Sequence, residues 1–203
     1  MEENLDTKTK ILVRAEELFL RYGIKSVTMD DISKALGMSK KTLYQYVENK
    51  TDLLAQIMAV HIEQDKTSMN AIHAEAANAI DEMLRIAKFV IRDLRRIGPT
   101  TMYDLQKYYR DIWDKMEAFH KEYIYTVIKN NLDMGVQQGL YRANINTDVV
   151  AKLYVGKTLI VADEEMFPQR DYNREQLFKE YFNYHIHGIA SEKGLELLKQ
   201  QSN

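Results

Sequence analysis

Residues 27–54, VTMDDISKALGMSKKTLYQYVENKTDLL, decide how this chain is read. Thr28 suits a helix N-cap, and Asp31, three residues on, can return its carboxylate to the same helix start. Ile32, Ala35 and Leu36 recur at helical spacing, and Gly37 supplies the positive φ that ends the helix. Ser39 then caps a second short helix, in which Leu43 and Val47 face inward at i and i+4. Lys40, Lys41, Thr42, Tyr44, Gln45 and Tyr46 are left on its outer surface. Two short helices joined by a tight turn make a helix-turn-helix. Such a unit offers its second helix to the DNA major groove, where some side chains reach base edges and others grip phosphate.

The flanks fit this reading. Upstream, Ile11, Ala15, Leu18, Phe19 and Tyr22 form one apolar stripe, predicting a bracing helix over 7–22 with residues 1–6 frayed. Downstream, Asn49 with Asp52, Leu53 and Leu54 opens a long helix to about residue 66 or beyond. The free N–H groups at its start, with Lys50 at its first position, can take a phosphate.

The segment ILVRAEELFLRYGIKSVTMDDISKALGMSKKTLYQYVENKTDLL resembles the DNA-binding domain of the tetracycline-repressor (TetR) family of bacterial transcription regulators. The resemblance rests on a G-x-x-x-x-T run from Gly23 to Thr28 and on G-x-S-x-x-T-L-Y-x-Y from Gly37 to Tyr46, followed by Lys50 and Leu53. Val47 stands where the family commonly has Phe; both fill a core slot. The resemblance covers about a quarter of the chain, and the rest agrees in length and helical character. It implies an all-α fold: a three-helix helix-turn-helix domain over 1–49, then a helical ligand-binding and dimerisation domain over 50–203. It also makes Tyr44 the better phosphate ligand of the two tyrosines, with Thr28 and Lys50 as backbone clamps. Base contacts would fall to Ser39, Lys41, Thr42 and Gln45, since lysine suits guanine and glutamine suits adenine.

Composition bounds the alternatives. A chain of 203 residues that is 45% hydrophobic allows a headpiece and a larger body. The net charge of −2 carries no whole-chain nucleic-acid signature, but Lys40, Lys41 and Lys50 stand against Glu48 alone between residues 38 and 50. With no cysteine there is no disulfide and no thiolate metal site. No apolar run approaches the roughly 20 residues of a membrane span, and MEENLDTKTK lacks a signal peptide's apolar core. A cytoplasmic protein without membrane attachment is expected. Two prolines and eight glycines among long periodic stretches predict an almost wholly helical chain.

In the body, periodicity predicts helices over 69–97 (ending at Gly98-Pro99), from Thr100 or Thr101 onward with a break near 109–111 by resemblance, then to Gly135 and Gly139. Asn146 or Thr147 caps a helix over 148–166, ended by Pro168, and a last one spans 174–190. The stripes of these two helices, including Leu153, Tyr154, Phe178, Tyr181, Phe182 and Ile189, are wide, and the family pairs such helices with their twins in a homodimer. Aromatic density around Met102, Tyr103, Tyr109, Trp113, Met116 and Tyr123 invites a pocket for an unknown small hydrophobic or aromatic ligand, against the plainer reading of core packing.

Catalytic and metal readings are weak. Glu117 and His120 form a single E-x-x-H pair, where a di-iron bundle needs two and further glutamates. His185 and His187 fall on different helix faces, Asp163-Glu164-Glu165 reads as a solvated helix end, and no H-E-x-x-H, P-loop or G-x-S-x-G occurs. No cofactor is expected and an enzyme is improbable. The expected protein is a ligand-responsive repressor that binds a pseudo-palindromic double-stranded DNA operator as a dimer, with ligand moving the helix that starts at Lys50. Two readings compete: a DNA-binding regulator controlled by a protein partner with no small-molecule pocket, and a helical enzyme or lipid carrier.

Overall fold

A computed structural model of the chain describes residues 6–96, 99–161, 163, 165–168 and 170–201. Residues 1–5 of the segment 1–6 expected to fray, the helix stop at Gly98 and the Glu164 part of the acidic helix end lie outside them; Asp6 is not frayed but caps the first helix. The described residues form eleven α-helices and no strand. No helix among them is long and apolar enough to cross a membrane.

One compact unit comprises residues 1–65 and 96–116. It holds α1 (Thr7–Tyr22), α2 (Met29–Ala35), α3 (Lys40–Leu43), the first part of α4 (Lys50–Glu75), α6 (Pro99–Tyr108) and most of α7 (Arg110–Phe119). The first three starts have a polar cap. Asp6 accepts from Thr9 N–H, Thr28 and Asp31 form a reciprocal capping box, and Ser39 accepts from Thr42 N–H. Gly37 has φ +64° and ends α2 as its sequence predicts. The helical stripes merge into one core: Ile11, Ala15, Phe19, Ile24, Ile32, Leu43, Val47 and Leu53 are all buried there. Ile112 and Trp113 of α7 and Leu105 of α6 belong to the same core.

The second unit comprises residues 66–95 and 117–203. It contains the end of α4, α5 (Ala79–Arg96) up to residue 95, a π-helical turn at His120–Ile124, α8 (Tyr125–Gln137), α9 (Thr147–Val161), α10 (Arg174–Ile189) and α11 (Glu192–Gln201). Its core joins Ile80, Met83, Ile128, Leu132, Tyr141, Tyr154, Phe178 and Ile186. The domain division expected after residue 49 concerns function and is carried forward as a proposal. By compactness the chain divides differently, with α6 and most of α7 grouped with the helix-turn-helix.

Helix boundaries depart from expectation in two places. The chain does not begin a new helix at residue 69: α4 continues to Glu75, and α5 starts at Ala79. Asn78 makes that start, its side-chain oxygen accepting from Ile80 N–H (3.1 Å) and Asp81 N–H (3.0 Å), an isolated cap inside an alanine-rich run. The expected helix over 148–166 ends at Val161, and α11 beyond it had no sequence expectation. The break near 109–111 is present, between Tyr108 and Arg110.

The stripes of α9 and α10 also divide differently. Tyr154, Phe178, Tyr181, Phe182 and Ile189 are buried in the chain's own core, so they leave no surplus apolar surface. The exposed apolar residues are Val149, Leu153 and Ile160 on α9 and Tyr184 on α10, the last 72% exposed. Val149, Leu153, Gly156 and Ile160 follow one another at i, i+4, i+7 and i+11, a single stripe. α9 therefore carries two apolar stripes, and periodicity alone could not say which faces the interior.

Candidate nucleic-acid interface

The second helix of the helix-turn-helix is short. After Leu43 the chain tightens, with Gln45 N–H donating to Thr42 O (3.1 Å) and Tyr46 N–H to Leu43 O (3.0 Å). Leu43 and Val47 are fixed in the core at 0% and 3% exposure, which turns the remaining side chains outward. Ser39, Lys40, Lys41, Tyr44, Gln45 and Tyr46 are exposed and Thr42 is half-buried, so these seven share one short outer surface. Thr28 is also exposed, at the start of α2.

Their hydrogen bonds distinguish them. Ser39 Oγ and Thr42 Oγ1 lie 2.8 Å apart, so the two hydroxyls hold each other at the helix start. Thr28 Oγ1 donates to Asp31 Oδ2 (2.6 Å), and that pairing holds the Asp31 carboxyl below its usual range. Lys40 Nζ pairs with Asp30 Oδ1 at 3.1 Å, and Lys34 binds the other oxygen at 2.8 Å. These two lysines lower the Asp30 pKa, Lys34 more than Lys40. Asp30 was not singled out from sequence: its link to Lys40 requires α2 and α3 to be packed together.

Lys50 is the one expected phosphate ligand whose surroundings differ. It is half-buried, and its ammonium donates to the carbonyl oxygens of Val27 and, at 3.4 Å, Lys25. Burial lowers its pKa, while the charges of Asp104 and Asp31 act the other way. It therefore ties the α1–α2 loop to the start of α4. That start is capped as expected, Asn49 accepting from Asp52 N–H at 2.9 Å.

A further set of contacts in this unit was invisible to sequence patterns. Asp104 of α6, 4% exposed, accepts from Lys25 N–H at 2.7 Å. Thr101 Oγ1 donates to the Phe19 carbonyl at 3.1 Å. Lys25 Nζ reaches Tyr108 Oη at 3.0 Å, which lowers the Tyr108 pKa. Gly23, with φ +82°, passes beneath Thr100 so closely that a Cβ would lie 2.7 Å from its Cγ2. The residues expected to line a ligand site divide between the two units. Met102, Tyr109, Trp113 and Met116 pack on or in the core shared with the helix-turn-helix, and Tyr103 is 42% exposed beside Lys107. Tyr123 belongs to the other unit, stacked on Phe119 at 5.3 Å. Aromatic spacing along α6 and α7 could not say which rings enter a core, because that depends on tertiary contacts: Trp113 is buried and Tyr103 is not. No group of three or more potential metal ligands occurs among the described residues.

Residues 11–57 match the sequence model of bacterial regulatory proteins of the tetR family. The chain is 26% identical over 185 residues to the uncharacterized HTH-type transcriptional regulator YvaF of Bacillus subtilis (strain 168), covering 91% of this chain and 96% of that one. It is 22% identical over 191 residues to the HTH-type transcriptional repressor KstR2 of Mycolicibacterium smegmatis, covering 92% of each. In fold it is similar to a transcriptional regulator from Cytophaga hutchinsonii, with a TM-score of 0.75 at 18% identity over 90% of this chain and 98% of that one. The chain's helix-turn-helix is thus matched by the tetR family's model, and nearly its whole length is similar to helix-turn-helix transcriptional regulators.

Proposed function

We propose that this regulator is a ligand-responsive repressor that binds a pseudo-palindromic operator as a homodimer, with residues 1–49 reading DNA and 50–203 serving ligand and dimer. The carrying observation is the outer surface of the second helix, where Lys41, Tyr44, Gln45 and Tyr46 are exposed beside Ser39 and Thr42 while Leu43 and Val47 anchor the backbone. In this reading Lys41 and Gln45 meet base edges with Ser39 and Thr42, and Tyr44, Tyr46, Lys40 and Thr28 meet phosphates. Lys50 acts mainly by holding the loop that presents Thr28. Lys40 exchanges Asp30 for phosphate on binding, an exchange between two exposed partners that costs little.

Dimerisation falls to the exposed stripe of α9 with Tyr184 and Gly188 of α10. Lys157 Nζ lies 4.8 Å from the Tyr184 ring centroid, joining the two helices' outer faces. A Cβ built at Gly156 or Gly188 meets nothing within 4 Å, so both present open, flat surface to a second helix. A twofold dimer covers such a patch once and leaves no edge for further growth. Reading helices about 34 Å apart then engage successive major grooves on one DNA face. Ligand acts by favouring a state with a different separation, and a coupling of ~1–3 kcal/mol weakens operator binding roughly 5- to 150-fold.

The test is selection of bound duplexes from a random library by the full chain. Enrichment of an inverted repeat with half-sites about one helical turn apart, released by some members of a small-molecule library, is the expected result. Enrichment of single half-sites overturns the dimeric reading. An inverted repeat that no compound releases overturns the ligand response in favour of control by a protein partner.

A further inference from the structure

In the unit formed by residues 66–95 and 117–203, buried polar groups find one another. Tyr141 Oη lies 3.0 Å from both the Ala79 carbonyl and Asn131 Oδ1. Asn131 Nδ2 donates to Glu82 Oε2 (2.7 Å) and to the Ala79 carbonyl (2.8 Å). Tyr181 Oη donates to the Tyr154 carbonyl at 3.0 Å. Tyr154 Oη and His185 Nε2 are among the atoms that depart from this pattern. Neither has a hydrogen-bond partner among the described residues, although Tyr154 is 2% and His185 7% exposed. They belong to rings that meet edge-on with centroids 4.8 Å apart. A buried polar atom without a partner carries a desolvation cost that nothing in the chain returns, and here two such atoms belong to adjacent rings.

We propose that Tyr154 Oη and His185 Nε2 together hold the uncharged carbonyl or hydroxyl group of a small, largely apolar molecule. This rests on the reading that residues 50–203 take a ligand, and names its polar anchor. The phenol donates to a carbonyl oxygen or exchanges hydrogen bonds with a hydroxyl. The imidazole donates or accepts at Nε2 according to its tautomer. Burial, aided by the positive charge of Lys157, lowers the His185 pKa to about 4, so the ring is neutral near pH 7. A neutral phenol and a neutral imidazole supply no counter-charge for a buried carboxylate or ammonium, which favours an uncharged group. Tyr181, with its ring centroid 5.6 Å from that of Tyr154, and Phe178, 5.8 Å from Tyr181, are the core aromatics against which an apolar skeleton would have to pack.

The test uses the full chain with ¹⁵N-labelled histidine, titrated separately with acetophenone, benzyl alcohol, toluene and benzoate. The His185 Nε2 resonance is identified by its loss in His185→Gln. Acetophenone and benzyl alcohol are expected to shift it saturably, and to bind Tyr154→Phe roughly three- to tenfold more weakly, the loss of one hydrogen bond. Toluene and benzoate are expected to leave it in place. Tyr154→Phe removes only a hydroxyl that has no partner, so its fold is retained. No shift with any probe up to its solubility limit, as when an ordered water already occupies the position, overturns the proposal. So does an equal shift with toluene, or undiminished binding to Tyr154→Phe. Compounds that release operator from wild type and Tyr154→Phe alike would remove this anchor and leave the ligand response standing. A library with no releasing compound would remove the ligand response, and the titration would still decide the anchor.

Discussion

The carboxylate of Asp104 accepts a hydrogen bond from the backbone N–H of Lys25 at 2.7 Å, joining residues 79 positions apart in the sequence. The contact holds the loop between α1 and α2, whose far end is the Thr28 cap. Asp104→Ala leaves that N–H without its partner and is expected to cost about 1–3 kcal/mol of stability. Asp104→Asn, which keeps an acceptor oxygen, should lose less. Urea denaturation of the full chain measures both, and equal stability of Asp104→Ala and wild type would exclude a structural role for the contact.

Lys41→Ala and Lys50→Ala should fail differently. Lys41 is exposed on the outer surface of α3, so its loss is expected to relax discrimination between matched and mismatched duplexes by ~1–3 kcal/mol. Lys50 holds two loop carbonyls, so its loss should lower thermal stability and weaken all sequences alike, with little change in the log-salt slope. A slope reduced by about 0.9 in Lys50→Ala would instead assign it a direct phosphate contact.

Substitutions on α9 and α10 separate dimerisation from folding. Leu153→Asp, at a position 53% exposed, is expected to yield folded monomers that bind an inverted repeat poorly. Phe182→Asp, at a position 6% exposed, places a charge in the protomer core and should unfold it. Sedimentation with circular dichroism distinguishes the two; a dimeric Leu153→Asp at micromolar concentration would move the interface elsewhere.

Stability should depend on pH through His185. Its folded pKa of about 4 lies below the ordinary histidine value of 6.5, so between these values the unfolded chain binds more protons. The contribution is complete above pH 6.5 and is lost as pH falls towards 4. At pH 5 the loss is about 2 kcal/mol relative to pH 7.5. His185→Gln should flatten this part of the profile. An unchanged profile in the variant would show that other groups carry it.

Trp113 should report the folding of the unit that contains the helix-turn-helix. It is 5% exposed within that unit's core, so its emission should follow denaturation of this unit. Trp113→Ala is expected to cost about 3–5 kcal/mol, with operator binding lost through instability. A stable, DNA-competent Trp113→Ala would place the residue outside the essential core.

The helix-turn-helix was legible in the sequence because its determinants are local. Thr28 with Asp31, Ser39 with Thr42 and Asn49 with Asp52 are caps closed within three residues, and Gly37 needs only its own φ. Leu43 and Val47 could be placed inward because the caps had already fixed the register of a very short helix. Sequence therefore determined the family resemblance of the helix-turn-helix, the helical class and the outer surface of α3. What tertiary structure decided was every question of which neighbour a helix face meets. Trp113 and Tyr123 lie on one aromatic run, yet pack in different cores. Tyr154 and Leu153 are adjacent, yet one is buried and the other exposed. Lys50 carries a charge at a helix start, yet its ammonium is taken by loop carbonyls. Helical periodicity shows that a residue belongs to an apolar face, but burial and pairing depend on what the rest of the chain brings against that face, and only packing across long sequence separations supplies it.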